Sequence, residues 1–111
     1  MTLIIKIYAD DCEVCKQMER HDTVVFAESP SAIYRKVELN DLLDNKRDAA
    51  KEIIYKHLEK YCLTPTYEVD LPTYIFMTSK GQYLGNQVGA ATVSELRSRV
   101  KTLLSADSGD P

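Results

Sequence analysis

Two cysteines, Cys12 and Cys15, are the residues of this chain whose type and spacing best suit chemistry. They form a C-x-x-C pair that follows the apolar run of residues 3–8 and opens a predicted helix. Two thiols on one helical turn can close a small disulfide, and the helix N-terminus favours the thiolate of the leading cysteine. A strand that leads into such a turn is the setting in which C-x-x-C indicates a redox function.

Length and charge narrow the possible classes of protein. The chain has 111 residues, so we expect residues 1–104 to form a single domain and the polar residues 105–111 to be a disordered tail. Its 14 basic and 17 acidic residues give a formal charge of −3, which provides no global attraction to nucleic acid or to a membrane. The apolar start is too short to cross a bilayer and lacks the features of a secretory signal. We therefore expect a soluble, cytoplasmic monomer.

Four stretches of the chain predict β-strands. Residues 3–8 are nearly all apolar and β-branched, as in an interior strand that is covered on both faces. Residues 33–39 alternate between polar and apolar side chains and predict a second strand. After a predicted loop at residues 63–70, residues 71–77 predict a third strand that begins at a proline, where the missing N–H is tolerated. A tight turn then leads to residues 83–88, which predicts an antiparallel hairpin.

Three further stretches predict helices. The first begins at Glu13 and ends before the Ser-Pro-Ser sequence at residues 29–31. The clearest covers residues 42–62, where apolar side chains recur at helical spacing and lysines and acids occupy the other faces. The last begins at a capping box, in which Thr92 is followed three residues later by Glu95.

This order of elements, together with the tripeptides at residues 71–73 and 88–90, resembles the thioredoxin family. Residues 8–15 are similar to the family's aromatic-Ala-x-x-Cys-x-x-Cys segment, and residues 71–73 are similar to its cis-proline segment. The resemblance covers most of the chain. It implies an α/β, thioredoxin-like fold: a central mixed four-stranded sheet flanked by three helices, lacking the extra N-terminal strand and helix of full thioredoxins.

The resemblance also implies roles for individual residues. Cys12 would be the exposed nucleophile that attacks a substrate disulfide, and Cys15 the more buried thiol that resolves the mixed disulfide. Pro72 would lie opposite them with a cis peptide bond, which lets Leu71 offer its backbone to an extended substrate segment. Gly89 would keep the neighbouring surface flat, so that a partner can approach.

The chain departs from the family's usual pattern at the dithiol. Thioredoxins usually have Gly-Pro between the cysteines and a tryptophan just before them, whereas this chain has Glu13-Val14 and Asp11 and contains no tryptophan. Its length is closer to that of a glutaredoxin, but glutaredoxins usually have Pro-aromatic between the cysteines and basic groups for glutathione. The long helix predicted at residues 42–62, where the family often has a short connection, could cover one sheet face or bind a specific partner.

A pair of charged residues, Lys6 and Glu38, is expected beneath the dithiol. In thioredoxins an aspartate six residues before the first cysteine lies near a lysine on the next strand, and alignment of the motifs puts Lys6 and Glu38 at these positions with their charges exchanged. A buried pair of this kind could relay the proton that Cys15 gains or loses. The alternative is that Lys6 extends to a strand end and Glu38 is solvated, since charges are seldom fully buried.

Three acidic residues surround the leading cysteine. Asp10, Asp11 and Glu13 place negative charge around Cys12, which opposes the effect of the helix terminus and disfavours the thiolate. A less stabilised thiolate makes a more reducing couple, so the sequence favours a disulfide reductase over a strong oxidant. The alternative is that these are ordinary solvated residues whose effect salt screens.

The remaining candidates for chemistry are weaker. Cys62 ends an apolar helical stripe and is expected to be a buried core thiol, with a regulatory or metal-binding thiol as the alternative. His21 and His57 could in principle complete a zinc site with the C-x-x-C pair, but the usual second pair at short ligand spacing is absent. No metal site is therefore expected.

Two functions from different classes remain open at this point. The first is a thiol–disulfide oxidoreductase that reduces protein disulfides without a bound cofactor, using electrons from a separate reductase or from glutathione. The second is a non-catalytic binding module or a subunit of a larger assembly, in which the dithiol is incidental. The unusual dipeptide Glu13-Val14 and the long helix predicted at residues 42–62 keep this alternative open.

Overall fold

A computed structural model describes residues 1–44, 46–62 and 69–108 of the chain. Four strands and five helices follow one another along these residues. In chain order they are β1 (Thr2–Tyr8), α1 (Glu13–Gln17), α2 (Glu19–Ala27), β2 (Ile33–Glu38), α3 (Leu39–Leu43), α4 (Ala49–Tyr61), β3 (Thr73–Thr78), β4 (Tyr83–Val88) and α5 (Val93–Ser108).

The four strands form one mixed sheet in the order β2-β1-β3-β4. The β1 and β2 strands are parallel, while β3 is antiparallel to both of its neighbours. The predicted thioredoxin-like sheet is thereby confirmed, with the apolar segment of residues 3–8 on an interior strand. The predicted hairpin is also present, as the β3–β4 pair.

The register of the sheet brings three loops to one end of the molecule. Ile7 near the end of β1 pairs with Thr73 at the start of β3, and Thr73 pairs with Val88 at the end of β4. The chain leaves the sheet from these positions towards Cys12 and Gly89. Since Pro72 directly precedes Thr73, the dithiol, the proline and this glycine all lie at the same sheet edge.

Apolar side chains cover both faces of the sheet, in two clusters. Alternate residues of β1 point to opposite faces, so Ile4 lies in one cluster and Ile5 in the other. The first cluster joins the sheet to the helices before β2 and to α5 through Ile4, Met18, Val25, Tyr74, Phe76, Ala91, Leu96, Val100 and Leu103. The second joins it to α3 and α4 through Ile5, Ile7, Leu42, Ile54, Leu58, Cys62, Ile75 and Met77.

The helices differ from the sequence prediction in number and extent. The first predicted helix is divided at Met18 into α1 and α2, and the helix predicted for residues 42–62 is preceded by a separate short helix, α3. For α3 and α4 the reason is local capping: the Glu38 carboxylate accepts the N–H of Asn40, and the Asp48 carboxylate accepts the N–H of Lys51, whereas the start of α2 at Met18 has no side-chain cap. Each carboxylate starts its own helix, so the expectation of three helices was wrong.

The C-terminal helix begins as predicted and ends later than expected. Thr92 and Glu95 exchange the two hydrogen bonds of a capping box, at 3.0 and 3.1 Å. The helix then continues to Ser108, so the expectation of a disordered tail was wrong for residues 105–108. The Asp107 carboxylate accepts the hydroxyl of Thr2 at 2.6 Å, which fastens this end of the helix to β1.

Residues 63–68, which form most of the predicted loop at 63–70, lie outside the described residues. Residues 109–111 of the predicted tail also lie outside them. Within the ranges that the structure describes, no helix is long and apolar enough to cross a membrane.

A matched pair of leucines tests the packing of the sheet against the helices. Leu96 on α5 is 0 % exposed, whereas Leu43 on α3 is 51 % exposed. We expect Leu96→Ala to lower the free energy of unfolding by about 2–5 kcal/mol because it leaves a cavity, and Leu43→Ala to lower it by about 0.5 kcal/mol or less. Chemical denaturation of the oxidised protein measures both, and equal losses would contradict this packing.

Candidate active site

The two cysteines of the C-x-x-C pair are joined as a disulfide at the start of α1. After β1 ends, the N–H of Cys12 donates to the carbonyl of Ala9, which closes a turn. Cys12 is then the N-cap of the helix, and its sulfur accepts the backbone N–H of Cys15 at 3.1 Å. Because a hydrogen bond to sulfur favours the charged form, this geometry supports a thiolate at Cys12 once the disulfide is reduced.

The two sulfur-bearing residues differ in their access to solvent. Cys12 is partly exposed, whereas Cys15 is 2 % exposed and faces the core. Cys12 is thus the more exposed of the two, and the sulfur of the buried Cys15 is bonded to that of Cys12. This asymmetry suits one attacking and one resolving thiol.

The Leu71–Pro72 peptide and Gly89 lie at the same sheet edge. The peptide bond between Leu71 and Pro72 is cis, and the carbonyl of Pro72 accepts the N–H of Gly89 at 2.8 Å. Gly89 has a φ of 77°, a left-handed conformation that glycine adopts without strain. No atom lies within 4 Å of the position that a Cβ would occupy at Gly89, so this part of the surface is open.

A cleft of about 280 Å³ adjoins the buried cysteine on another side. It is lined by Tyr8, Ala9, Asp10, Cys15, Lys16, Glu19 and Lys36. The Lys36 ammonium donates to the Glu19 carboxylate at 2.6 Å and lies 4.9 Å from the ring centroid of Tyr8. This hydrogen bond lowers the pKa of the Glu19 carboxyl and raises the pKa of Lys36.

A buried network of charged and hydroxyl groups lies beneath the dithiol. Lys6 is 0 % exposed, and its ammonium donates to the Asp22 carboxylate at 2.6 Å and to the carbonyl of Cys15 at 3.0 Å. Asp22 is 3 % exposed and also accepts the hydroxyls of Tyr74 at 2.6 Å and Tyr34 at 3.2 Å. Burial and the neighbouring Asp22 charge raise the pKa of both tyrosines. The network therefore contains a buried ion pair between Lys6 and Asp22, and the carboxylate of Glu19 lies 3.7 Å from the same ammonium.

The predicted partner of Lys6 was wrong. Glu38 lies opposite Tyr8 in the sheet, two residues beyond the position that pairs with Lys6, and its carboxylate caps α3. The side chain of Lys6 points instead to the face covered by α2, where Asp22 lies. The sequence carries a signal for Asp22: it is an acidic residue at helical spacing between Met18 and Val25, in an otherwise apolar stripe. Alignment of the motifs did not detect this signal.

The other candidates of the sequence analysis have structural contacts of their own. Cys62 is 6 % exposed, as expected of a core thiol; burial raises its pKa, and its sulfur accepts the side-chain N–H of Asn86 at 3.3 Å. His21 is hydrogen-bonded to the carbonyl of Ala91, and His57 to the carbonyl of Gly81. Among the residues that the structure describes, no three His, Cys, Asp or Glu side chains are grouped to hold a metal ion.

Solved structures of thioredoxins are similar to this chain. Mitochondrial thioredoxin 3 of Saccharomyces cerevisiae, in its oxidised form, is 24 % identical over 91 % of this chain and 77 % of its own, with a TM-score of 0.62. The thioredoxin of Trypanosoma brucei brucei is 24 % identical over 94 % and 75 %, with a TM-score of 0.64. A thioredoxin h from poplar is 20 % identical over 93 % and 76 %, with a TM-score of 0.65.

These similarities establish the fold of the chain. No protein-family model and no curated protein sequence matches it. At 20–24 % identity the fold is shared. A shared fold does not by itself establish a shared chemistry, which depends on this chain's own residues.

Proposed function

We propose that this protein of thioredoxin fold is a thiol–disulfide oxidoreductase that reduces disulfides in protein substrates. The observation that carries the proposal is the disulfide between a partly exposed Cys12 and a buried Cys15 at a helix start. A purely structural disulfide would gain nothing from a partly exposed cysteine whose sulfur also accepts a backbone N–H. The same features suit a dithiol that is reversibly oxidised and reduced.

The proposed reaction transfers two electrons through two thiol–disulfide exchanges. In the reduced protein, the Cys12 thiolate attacks one sulfur of the substrate disulfide, the other substrate sulfur leaves as a thiolate, and a mixed disulfide forms. The Cys15 thiolate then attacks the Cys12 sulfur and expels the second substrate sulfur. The substrate is released as a dithiol, and the protein is left with its Cys12–Cys15 disulfide.

The cycle is completed by an electron donor outside the chain. A reductase or glutathione would reduce the Cys12–Cys15 disulfide by the same exchange in reverse, with the incoming thiolate attacking at Cys12, the partly exposed residue of the pair. The scheme needs no bound cofactor, and its substrate is a disulfide-containing protein. It suits a monomer in a reducing compartment such as the cytoplasm.

The substrate would lie along the flat surface beside the dithiol. Leu71 precedes the cis peptide bond and is partly buried, while Pro72 is buried beneath it. The backbone of Leu71 would pair with an extended substrate segment, and the open side of Gly89 leaves room for that segment. Both contacts involve backbone, which suits recognition of many different protein sequences.

A turnover assay separates this function from a binding module. We expect the parent protein to accelerate the reduction of insulin disulfides by dithiothreitol, and Cys12→Ser and Cys15→Ser to fall to background because each lacks one thiol of the exchange. Cys62→Ala is the matched control and should retain the parent rate, since Cys62 is buried away from the dithiol. Equal background turnover in all four proteins would favour the binding module.

Charge around the dithiol is proposed to set the direction of electron flow. Asp10, Asp11 and Glu13 are exposed and flank Cys12 in the chain. Their negative charge disfavours the thiolate and hence the reduced form, which makes the couple more reducing. Reduction of substrates is therefore the favoured direction.

Neutralisation of these acids tests the effect of local charge on the redox potential. We expect Asp10→Asn, Asp11→Asn and Glu13→Gln each to raise the midpoint potential by on the order of 10 mV, because each removes a charge that opposes the thiolate. Equilibration with glutathione buffers measures the potential, and the shift should shrink in high salt. A fall in potential, or a parent potential as oxidising as that of periplasmic oxidants, would contradict the proposed direction.

A further inference from the structure

The outer edge of β4 is the less protected of the two edges of the sheet. Within the described residues, the strand order β2-β1-β3-β4 leaves β2 and β4 with one unpaired side each. Unpaired edges invite pairing with another chain, and charged side chains or prolines usually protect them. The β2 strand carries Arg35, Lys36 and Glu38, whereas β4 contains neither a charged residue nor a proline. The backbone of β4 is therefore suited to pairing with an added strand.

Most of β4 has the regular geometry that strand addition requires. Its pairing with β3 is irregular near Tyr83, where the register shifts between Phe76 and Met77. Along residues 85–88 the pairs follow one another without interruption, and each of these residues is partly exposed. Since alternate N–H and C=O groups of a strand point to opposite edges, an extended segment can hydrogen-bond to the outer edge as β3 does to the inner one.

A groove of about 530 Å³ lies beside this edge, between β4 and α5. It is lined by Gln87, Ser94, Glu95, Ser98, Arg99 and Thr102. The two elements are in close contact further along, since a Cβ at Gly85 would lie 2.8 Å from the side chain of Leu103. The lining side chains are polar, and those from α5 are exposed. The groove therefore suits a polar side chain of an added strand.

Arg99 is the cation of this groove. In the part of the chain that the structure describes it forms no ion pair. The one acid among the lining residues is Glu95, whose carboxylate accepts the N–H of Thr92, and hydrogen bonds from Thr92 lower the pKa of Glu95. Arg99 also acts on β4: burial raises the pKa of Tyr83 to about 12, and the charge of Arg99 opposes that rise. An acidic side chain in the groove would give this guanidinium the bidentate partner that it favours.

Two aromatic side chains lie on the opposite face of the same edge. The rings of Tyr61 and Tyr83 are stacked with 3.8 Å between their centroids, and Tyr61 is 43 % exposed. The carbonyl of Tyr61 accepts the side-chain N–H of Asn86, which holds this end of α4 beside β4. Because successive side chains of a strand point to opposite faces, an added strand would offer alternate residues to Arg99 and to the tyrosine pair.

We propose that the outer edge of β4 is a docking site for an extended segment of a partner protein in which acidic and apolar side chains alternate. The segment pairs with the backbone of residues 85–88. Its acidic side chains face Arg99, and its apolar side chains contact Tyr61 and Tyr83. The site uses neither cysteine of the dithiol, so it goes beyond the proposed oxidoreductase function.

The probe is a short peptide of alternating glutamate and valine, capped at both ends. It is added to the isotope-labelled, oxidised protein, and the amide resonances are followed by NMR spectroscopy. We expect saturable shifts that include residues 85–88 and Arg99. A matched peptide of alternating lysine and valine should bind about tenfold more weakly or less, because it brings a like charge to Arg99.

Methylation of the peptide backbone tests whether the peptide binds as a strand. One version of the glutamate peptide is methylated on the nitrogens of all its valines, and another on those of all its glutamates. We expect one version to lose binding and the other to retain it, because only alternate N–H groups of a strand face β4. Retention of binding by both versions would overturn strand addition.

Arg99→Gln tests the charge of the groove. We expect it to raise the dissociation constant of the glutamate peptide about tenfold, because it removes a charge-assisted contact. Lys101→Gln is the matched control: it makes the same change of charge on the same helix, but Lys101 does not line the groove and acts on Glu28. A change of about twofold or less is expected there. Both substituted side chains are exposed, so both variants should fold.

Several results would overturn the docking site. One is equal affinity for the glutamate and lysine peptides, and another is an equal effect of Arg99→Gln and Lys101→Gln. Shifts confined to the surface around Leu71, Pro72 and Gly89 would place the peptide elsewhere. Shifts of residues 85–88 on raising the protein concentration without peptide would show that a second copy of the chain occupies the edge. These binding measurements are made without turnover, so their failure is distinct from failure of the oxidoreductase function.

Discussion

The chemistry of this protein depends on where its central strand stops. The β1 strand is paired on both sides, by β2 and β3, so its end is fixed at Tyr8. A single turn, closed by the N–H of Cys12 on the carbonyl of Ala9, then leads into α1. Cys12 becomes the helix cap with its sulfur directed to the N–H of Cys15, and the following turn carries Cys15 into the core. The difference in exposure between the two cysteines therefore follows from the position at which β1 ends and from the turn that places Cys12 at the start of α1.

Burial of the Lys6 ammonium is energetically unfavourable and has to be compensated by neighbouring groups. Because side chains alternate along β1, Lys6 points into the core between Ile4 and the end of the strand, where a lone ammonium would be strongly unfavourable. Asp22 and the Cys15 carbonyl satisfy it, and two tyrosine hydroxyls complete the hydrogen bonds of Asp22. Removal of one member of such a pair typically costs about 3–5 kcal/mol, whereas an apolar replacement of both is often tolerated. The presence of the pair is therefore not by itself an indication of added stability.

Much of the fold and the Cys12–Cys15 pair could be predicted from the sequence, since both depend on patterns that span only a few residues. The apolar run of residues 3–8, the C-x-x-C spacing and the capping box of Thr92 act over a few positions each. The acidic residue in the apolar stripe of α2 is a local signal for Asp22, but its pairing with Lys6 could not be predicted in this way, because the pairing depends on which helix covers that face of β1. The division of the expected 42–62 helix was missed because the caps at Glu38 and Asp48 compete with a continuous helical pattern. The tail was misjudged because Asp107 is fastened by Thr2, more than a hundred positions away.

The most direct test of the account is to trap its intermediate. Reduced Cys15→Ser is incubated with a disulfide-bonded protein such as insulin, and the product is analysed by mass spectrometry without reductant. The account predicts a long-lived mixed disulfide attached at Cys12, because the thiol that would release it is missing. The same treatment of Cys12→Ser should yield no comparable adduct, since Cys15 is buried. No adduct at Cys12, or equal adducts in the two variants, would contradict an exchange reaction led by Cys12.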